Sequence, residues 1–141
     1  MKRSRALDER QTRFYRRVFA AAGAYNLAFG AWAGLFPNAY FDLTGLPRLN
    51  VVPIWQCLGM VVGIYGLLYL HAARRLDAAW PIIAVGLLGK VLGPLGWAKS
   101  VLFDGWPVAT GWLLGFNDLA WWLPFGAFLW KTRPRRRACR A

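Results

Sequence analysis

The chain has 141 residues, 57% of them hydrophobic and 16% aromatic, with nine Trp, 15 Gly and a formal net charge of +12. One domain is the natural count at this length, and a soluble domain of this size rarely carries so much apolar and aromatic material. The charge could suggest nucleic acid, but Lys and Arg sit almost entirely in short segments between and beyond apolar runs, a pattern that excludes that partner and points to a membrane surface.

The first segment, residues 1–17, is a basic tail carrying Lys2, Arg3, Arg5, Arg10, Arg13, Arg16 and Arg17. From Ser4 to Arg17 it can form a short interfacial helix with Arg on one face, or stay disordered. The first apolar stretch then runs from about Val18 to Phe36, and the second from Pro53 to Leu70. The third covers Trp80 to Trp97, and the fourth Trp106 to Trp130. Each approaches the ~20 residues that cross a ~30 Å hydrocarbon core. Backbone polar groups in a bilayer must be satisfied internally, so these stretches are expected to be helices. The expected fold is all-α, an integral membrane four-helix bundle over residues 18–130, followed by a second basic tail at 131–141.

Orientation follows from the Lys and Arg distribution. The two tails and the connection with Arg74 and Arg75 share one side of a four-span chain, and the other side holds only Arg48 and Lys99. Both termini are therefore expected in the cytoplasm (N-in, C-in), in a bacterial inner membrane. Trp32, Trp55, Trp97 and Trp106 would mark the outer interface, with Trp80 and Trp130 at the inner one. A cleaved signal peptide is the competing reading, with Arg16 and Arg17 before Val18 to Gly30 and a small-residue site at Ala31-Trp32-Ala33. The long basic tail and Asn26 within the apolar region weigh against it.

Small and polar residues recur at helical spacing. Gly23, Asn26, Gly30 and Ala33 share a stripe, as do Gln56, Gly59, Gly63 and Gly66. Gly86, Gly89 or Lys90, Gly93 and Gly96 or Trp97 line a third; Gly111, Gly115, Asp118, Trp122 and Phe125 line a fourth. Such stripes let helix backbones approach closely, and the glycines are read as packing positions.

Lys90 and Asp118 carry the sharpest signal. Lys90 lies ~15 Å beyond Trp80 and Asp118 ~18 Å before Trp130 at helical rise, so opposite charges meet at matching depth. A charge at mid-bilayer costs at least ~2.5 kcal/mol, and pairing is the cheapest remedy. A buried Lys90–Asp118 ion pair is expected, with Asn26, Asn117 and Gln56 as polar-core or ligand-binding neighbours. It serves either as a ligand or proton site, or as a pair that fixes helix register. Pro94 and Pro124 are expected to kink their helices beside it. Trp112, Trp121 and Trp122 fill the bundle, face lipid or stack on a ligand. His71 is the sole His, so a bis-His haem within one chain is excluded. Cys57 and Cys139 fall on opposite sides of the membrane and cannot pair. Without CxxC or a Cys/His cluster, zinc, iron–sulfur and dithiol redox centres have no support.

The order of features resembles the DoxX-like group of small four-helix bacterial membrane proteins. The resemblance is carried by Gly30-Ala31-Trp32-Ala33-Gly34-Leu35-Phe36-Pro37 and Gln56-Cys57-Leu58-Gly59-Met60-Val61-Val62-Gly63. The Asp104-Gly105-Trp106-Pro107 turn and the acidic Asp118 midway along the last helix complete it. Gly86 to Pro94 and Asn117 to Phe125 are more distinctive and suggest a separate subgroup. The resemblance implies a four-helix bundle and, for some relatives, links to quinone or thiol redox systems; the missing Cys pair speaks against thiol chemistry here.

The expected function is that of a non-enzymatic accessory or assembly subunit of a membrane complex, with a lipid-like ligand in its polar core. Its partners would be the bilayer and another protein or a second copy. The alternatives are a redox or lipid-modifying enzyme that uses a quinone or lipid at Lys90–Asp118, and a proton-coupled transporter acting as an oligomer. No inverted repeat supports transport.

Overall fold

Asp8 starts the first helix. Its side chain accepts the Gln11 backbone N–H at 2.7 Å while the Gln11 side chain reaches back to the Asp8 N–H, a capping box that satisfies two donors a helix start leaves orphaned. The computed structural model describes residues 7–133; Cys139 and most of the second basic tail lie outside them. All regular structure among the described residues is helical. Helix α1 spans Glu9–Leu35, α2 Ala39–Thr44, α3 Val52–Arg74 and α4 Ala79–Phe103. A 3₁₀ turn at Val108–Gly111 leads into α5, Trp112–Leu114. A π turn at Gly115–Leu119 then leads into α6, Ala120–Lys131.

Helices α1, α3 and α4 are long and apolar enough to cross a membrane. All three outrun the apolar stretches that predict them. Helix α1 begins nine residues before Val18, because nothing between the Asp8 cap and Val18 breaks a helix. The basic tail is therefore no separate interfacial helix from Glu9 onward; it is the first turns of α1. Helix α3 continues to Arg74 and α4 to Phe103, each past the last apolar position its stretch suggests, since helix formation does not stop where hydropathy falls. The 106–130 stretch departs further: it is helical from Val108 but changes pitch twice before α6.

Glycines set the α1–α3 contact. A Cβ on Gly30 would lie 2.6 Å from the Gly59 carbonyl oxygen, and one on Gly66 would lie 2.8 Å from the Gly23 carbonyl oxygen. Backbone meets backbone along this seam, as small-residue helix pairs allow. At the basic end of the molecule the interior is aromatic. Tyr15, Phe19, Tyr69, Phe125 and Phe128 are buried, and Phe19 meets Phe125 and Phe128 edge-on at 5.6 and 4.9 Å. Such edge-to-face pairs place positive ring edges on negative faces.

The opposite end is closed differently. Trp97 donates its indole N–H to Thr110 Oγ1 at 2.9 Å, and that hydroxyl donates to the Pro107 carbonyl at 2.7 Å. Helix α2 seats Tyr40 and Phe41 against Trp55, with Tyr40 stacked on it at 5.2 Å. Gly45, at φ 71°, ends that helix in the left-handed region that favours glycine. Arg48 hydrogen-bonds Asp42 at 2.8 and 2.9 Å, and those bonds hold the Asp42 carboxyl below the usual carboxylate range.

The outer surface is the reverse of a soluble protein's. Leu67, Leu88, Leu92, Leu95 and Leu123 are exposed, while Lys90, Asp118, Asn26 and Thr110 are buried. Apolar exposure on this scale marks a surface meant for an apolar neighbour.

Candidate functional site

Two irregularities in the backbone build the site. Pro94 lies inside α4, and a proline in a helix deprives the carbonyl four residues earlier of its N–H donor. That carbonyl belongs to Lys90. The Trp122 indole N–H takes the vacated role, donating to the Lys90 carbonyl at 3.0 Å. Across from it, the π turn at Gly115–Leu119 widens the helix by one residue per hydrogen-bonded loop. Two successive carbonyls of that turn receive side-chain donors. The Phe116 carbonyl accepts the Trp121 indole N–H at 3.0 Å, and the Asn117 carbonyl accepts the Lys90 ammonium.

Lys90 and Asp118 meet as expected. Their charged atoms are 3.9 Å apart, and each side chain is 6% exposed. That separation is an ion pair without a direct hydrogen bond, so the bonds run to neighbours. Asn117 donates from Nδ2 to Asp118 Oδ1 at 2.9 Å. The Lys90 ammonium also lies 6.0 Å from the centre of the Trp121 ring, within cation–π range. The ammonium thus has one hydrogen-bonded acceptor, the Asn117 carbonyl, with the carboxylate and the ring face within electrostatic reach.

The remaining predicted neighbours divide. Asn117 belongs to the site by both its backbone and its side chain, and its Oδ1 is buried without a hydrogen-bond partner. Asn26 is 3% exposed, and its Oδ1 also has no partner. The adjacent Tyr25 ring contacts Trp121 at 6.3 Å, which brings Asn26 to the level of the pair. Gln56 does not join them. It donates to the Gly34 carbonyl at 2.9 Å, near the opposite end of α1, where helix-terminal carbonyls lack intrahelical donors. His71 and Cys57 are exposed on α3, away from the charges.

No family model, curated protein or solved structure matches the chain. The site is therefore read from its own geometry. Sequence reasoning missed Trp122 as a partner of Lys90, although Pro94 four residues after a membrane Lys already marks a carbonyl in need of a donor. It also missed Tyr69, whose hydroxyl packs against Gly86, one turn before Lys90. No composition signal distinguishes that Tyr from an ordinary interfacial one.

The indole–carbonyl bond gives a direct test. Trp122→Phe removes the donor together with the pyrrole part of the ring, and a buried acceptor left unpaired costs about 1–3 kcal/mol. Thermal unfolding in detergent is expected to fall accordingly. Restoring a backbone donor with Pro94→Ala in the same chain is expected to recover most of the loss; no recovery would show that Trp122 matters for its bulk alone.

Proposed function

We propose that this chain is a multi-pass protein of the bacterial inner membrane, a four-helix bundle with both termini cytoplasmic. In this reading it is a non-enzymatic accessory or assembly module that holds a lipid-like ligand in its polar centre. The stretch from Val108 to Lys131 reaches about 36 Å at helical rise, enough to serve as the fourth span. The Lys and Arg placement supports the orientation, and the DoxX-like pattern supports the same small-bundle reading.

One observation carries the functional part. At a depth where each polar group is costly, the centre retains two buried amide oxygens, on Asn26 and Asn117, that accept no hydrogen bond. A fully self-satisfied ion pair would be a structural pin. An under-satisfied one is suited to receive a further polar group.

Purification in mild detergent followed by mass spectrometry tests this. Wild type is expected to retain a protein partner and an amphiphile near stoichiometry, and Lys90→Met with Asp118→Leu to lose the amphiphile. A wild-type chain carrying neither would end the proposal, whereas turnover of a bound lipid or quinone would favour the enzyme. The orientation has its own check: protease added to sealed inside-out vesicles should remove both basic tails, and intact tails would refute it.

A further inference from the structure

Asp118 is only 4% exposed, yet its two oxygens differ. Oδ1 takes the Asn117 hydrogen bond and faces Lys90. Oδ2 takes no hydrogen bond among the described residues, and it lies 3.2 Å from where a Cβ on Gly93 would sit. Gly93 itself is exposed on the surface of α4. At Gly89 and Gly96, about a turn to either side, an added Cβ would meet nothing within 4 Å. The surface at this level is bare backbone, bordered by the exposed Leu92. With no side chain at position 93, Asp118 Oδ2 lies directly behind this bare stretch of α4.

We infer that Gly93 is a lateral window through which a bilayer-dissolved amphiphile presents a donor head group, a hydroxyl or an amine, to Asp118 Oδ2. The inference rests on the ligand-holding reading and adds to it an entrance and a chemical class. The class follows from the atoms left open. The atom behind the window, Asp118 Oδ2, is an acceptor, as is the unpartnered Asn117 Oδ1, and the Lys90 ammonium is bonded to the Asn117 carbonyl. The head group must therefore donate. A long-chain alcohol or a quinol satisfies this; an oxidised quinone, which only accepts, does not. A hydroxyl is also the cheaper guest, because its desolvation cost is small beside that of an ion.

Dicyclohexylcarbodiimide, which dissolves in the bilayer, probes the window without knowledge of the natural ligand. The Asp118 carboxylate oxygen adds to the carbodiimide carbon while a proton from the paired Lys90 ammonium passes to a carbodiimide nitrogen; an O-to-N acyl shift then leaves a stable N-acylurea, and the peptide gains the mass of one intact reagent. In membranes the Asp118 peptide is expected to be labelled by this reagent and spared by a water-soluble carbodiimide. Gly93→Leu is expected to lose most of the adduct, and Gly89→Leu and Gly96→Leu to keep it. Should Gly93→Leu fail to accumulate, Gly93→Ala supplies the same comparison with one methyl group. A long-chain alcohol should protect Asp118, and its methyl ether, which lacks the donor, should not. An unlabelled wild-type Asp118, equal labelling in the Gly93 variants, labelling by the water-soluble reagent, or equal protection by the ether would each overturn the inference. If an amphiphile co-purifies but ignores Gly93 substitution, the window falls and the ligand reading stands. If labelling follows Gly93 but no amphiphile is ever bound, the opening stands as a route to Asp118, and the ligand reading falls together with the head-group assignment.

Discussion

Asp118→Leu is expected to lower stability by about 3–5 kcal/mol, the usual cost of leaving one partner of a buried ion pair uncompensated. Lys90 would retain the Asn117 carbonyl and the Trp121 ring, but neither carries a full negative charge. Lys90→Met is expected to cost a similar amount, since Asp118 would then keep only the Asn117 amide. The double variant is expected to recover most of the loss, because two apolar side chains of similar volume replace a pair whose desolvation cost roughly offsets its attraction. Thermal unfolding in detergent, taken around the double-mutant cycle, gives the coupling directly. Additive losses would mean that the 3.9 Å approach carries no coupling. A rescued fold that no longer retains its amphiphile would separate the structural work of the pair from its binding work.

How much of this was legible in the residues depends on the physics each feature obeys. Lys90 and Asp118 were readable because insertion cost makes a mid-membrane charge rare and demands a partner at equal depth. Their supporting bonds were less so. The Lys90–Asn117 contact exists because a π turn presents a carbonyl, and hydropathy at Gly115–Leu119 is the same whether the helix winds as α or π. Gln56 joins the expected polar centre through its amide and its place on the Gly59, Gly63 and Gly66 stripe; the competing demand, an orphan carbonyl at the end of α1, lies in the backbone and leaves no mark on composition. Helix limits differ from the apolar runs for a related reason. Apolar runs report where hydrocarbon begins, whereas α1 starts where Asp8 and Gln11 can cap it. The α1–α3 glycine stripe was legible as a packing face, but which glycine touches backbone and which faces open space required coordinates.

Gly30→Ala and Gly34→Ala, one turn apart on α1, are expected to behave oppositely for that reason. At Gly30 the new methyl would stand 2.6 Å from the Gly59 carbonyl oxygen and 3.0 Å from the Gly63 Cα. Both are backbone atoms of α3, so no rotamer change relieves the clash and the helices must separate. Overpacking of this kind costs about 1–3 kcal/mol. The loss would extend along the seam, because Gly66 against Gly23 depends on the same close approach. In a bilayer, helix association draws on packing instead of water exclusion, so a widened seam has little to offset it. At Gly34 the methyl meets nothing within 4 Å, and replacing a helical Gly with Ala is worth up to about 1 kcal/mol in backbone entropy. Unfolding temperatures in detergent should therefore rank Gly30→Ala below wild type and Gly34→Ala at or above it. Equal shifts in the two variants would mean that α1 and α3 are not held by direct backbone contact, and the glycine stripe would then lose its role as the seam that sets their spacing.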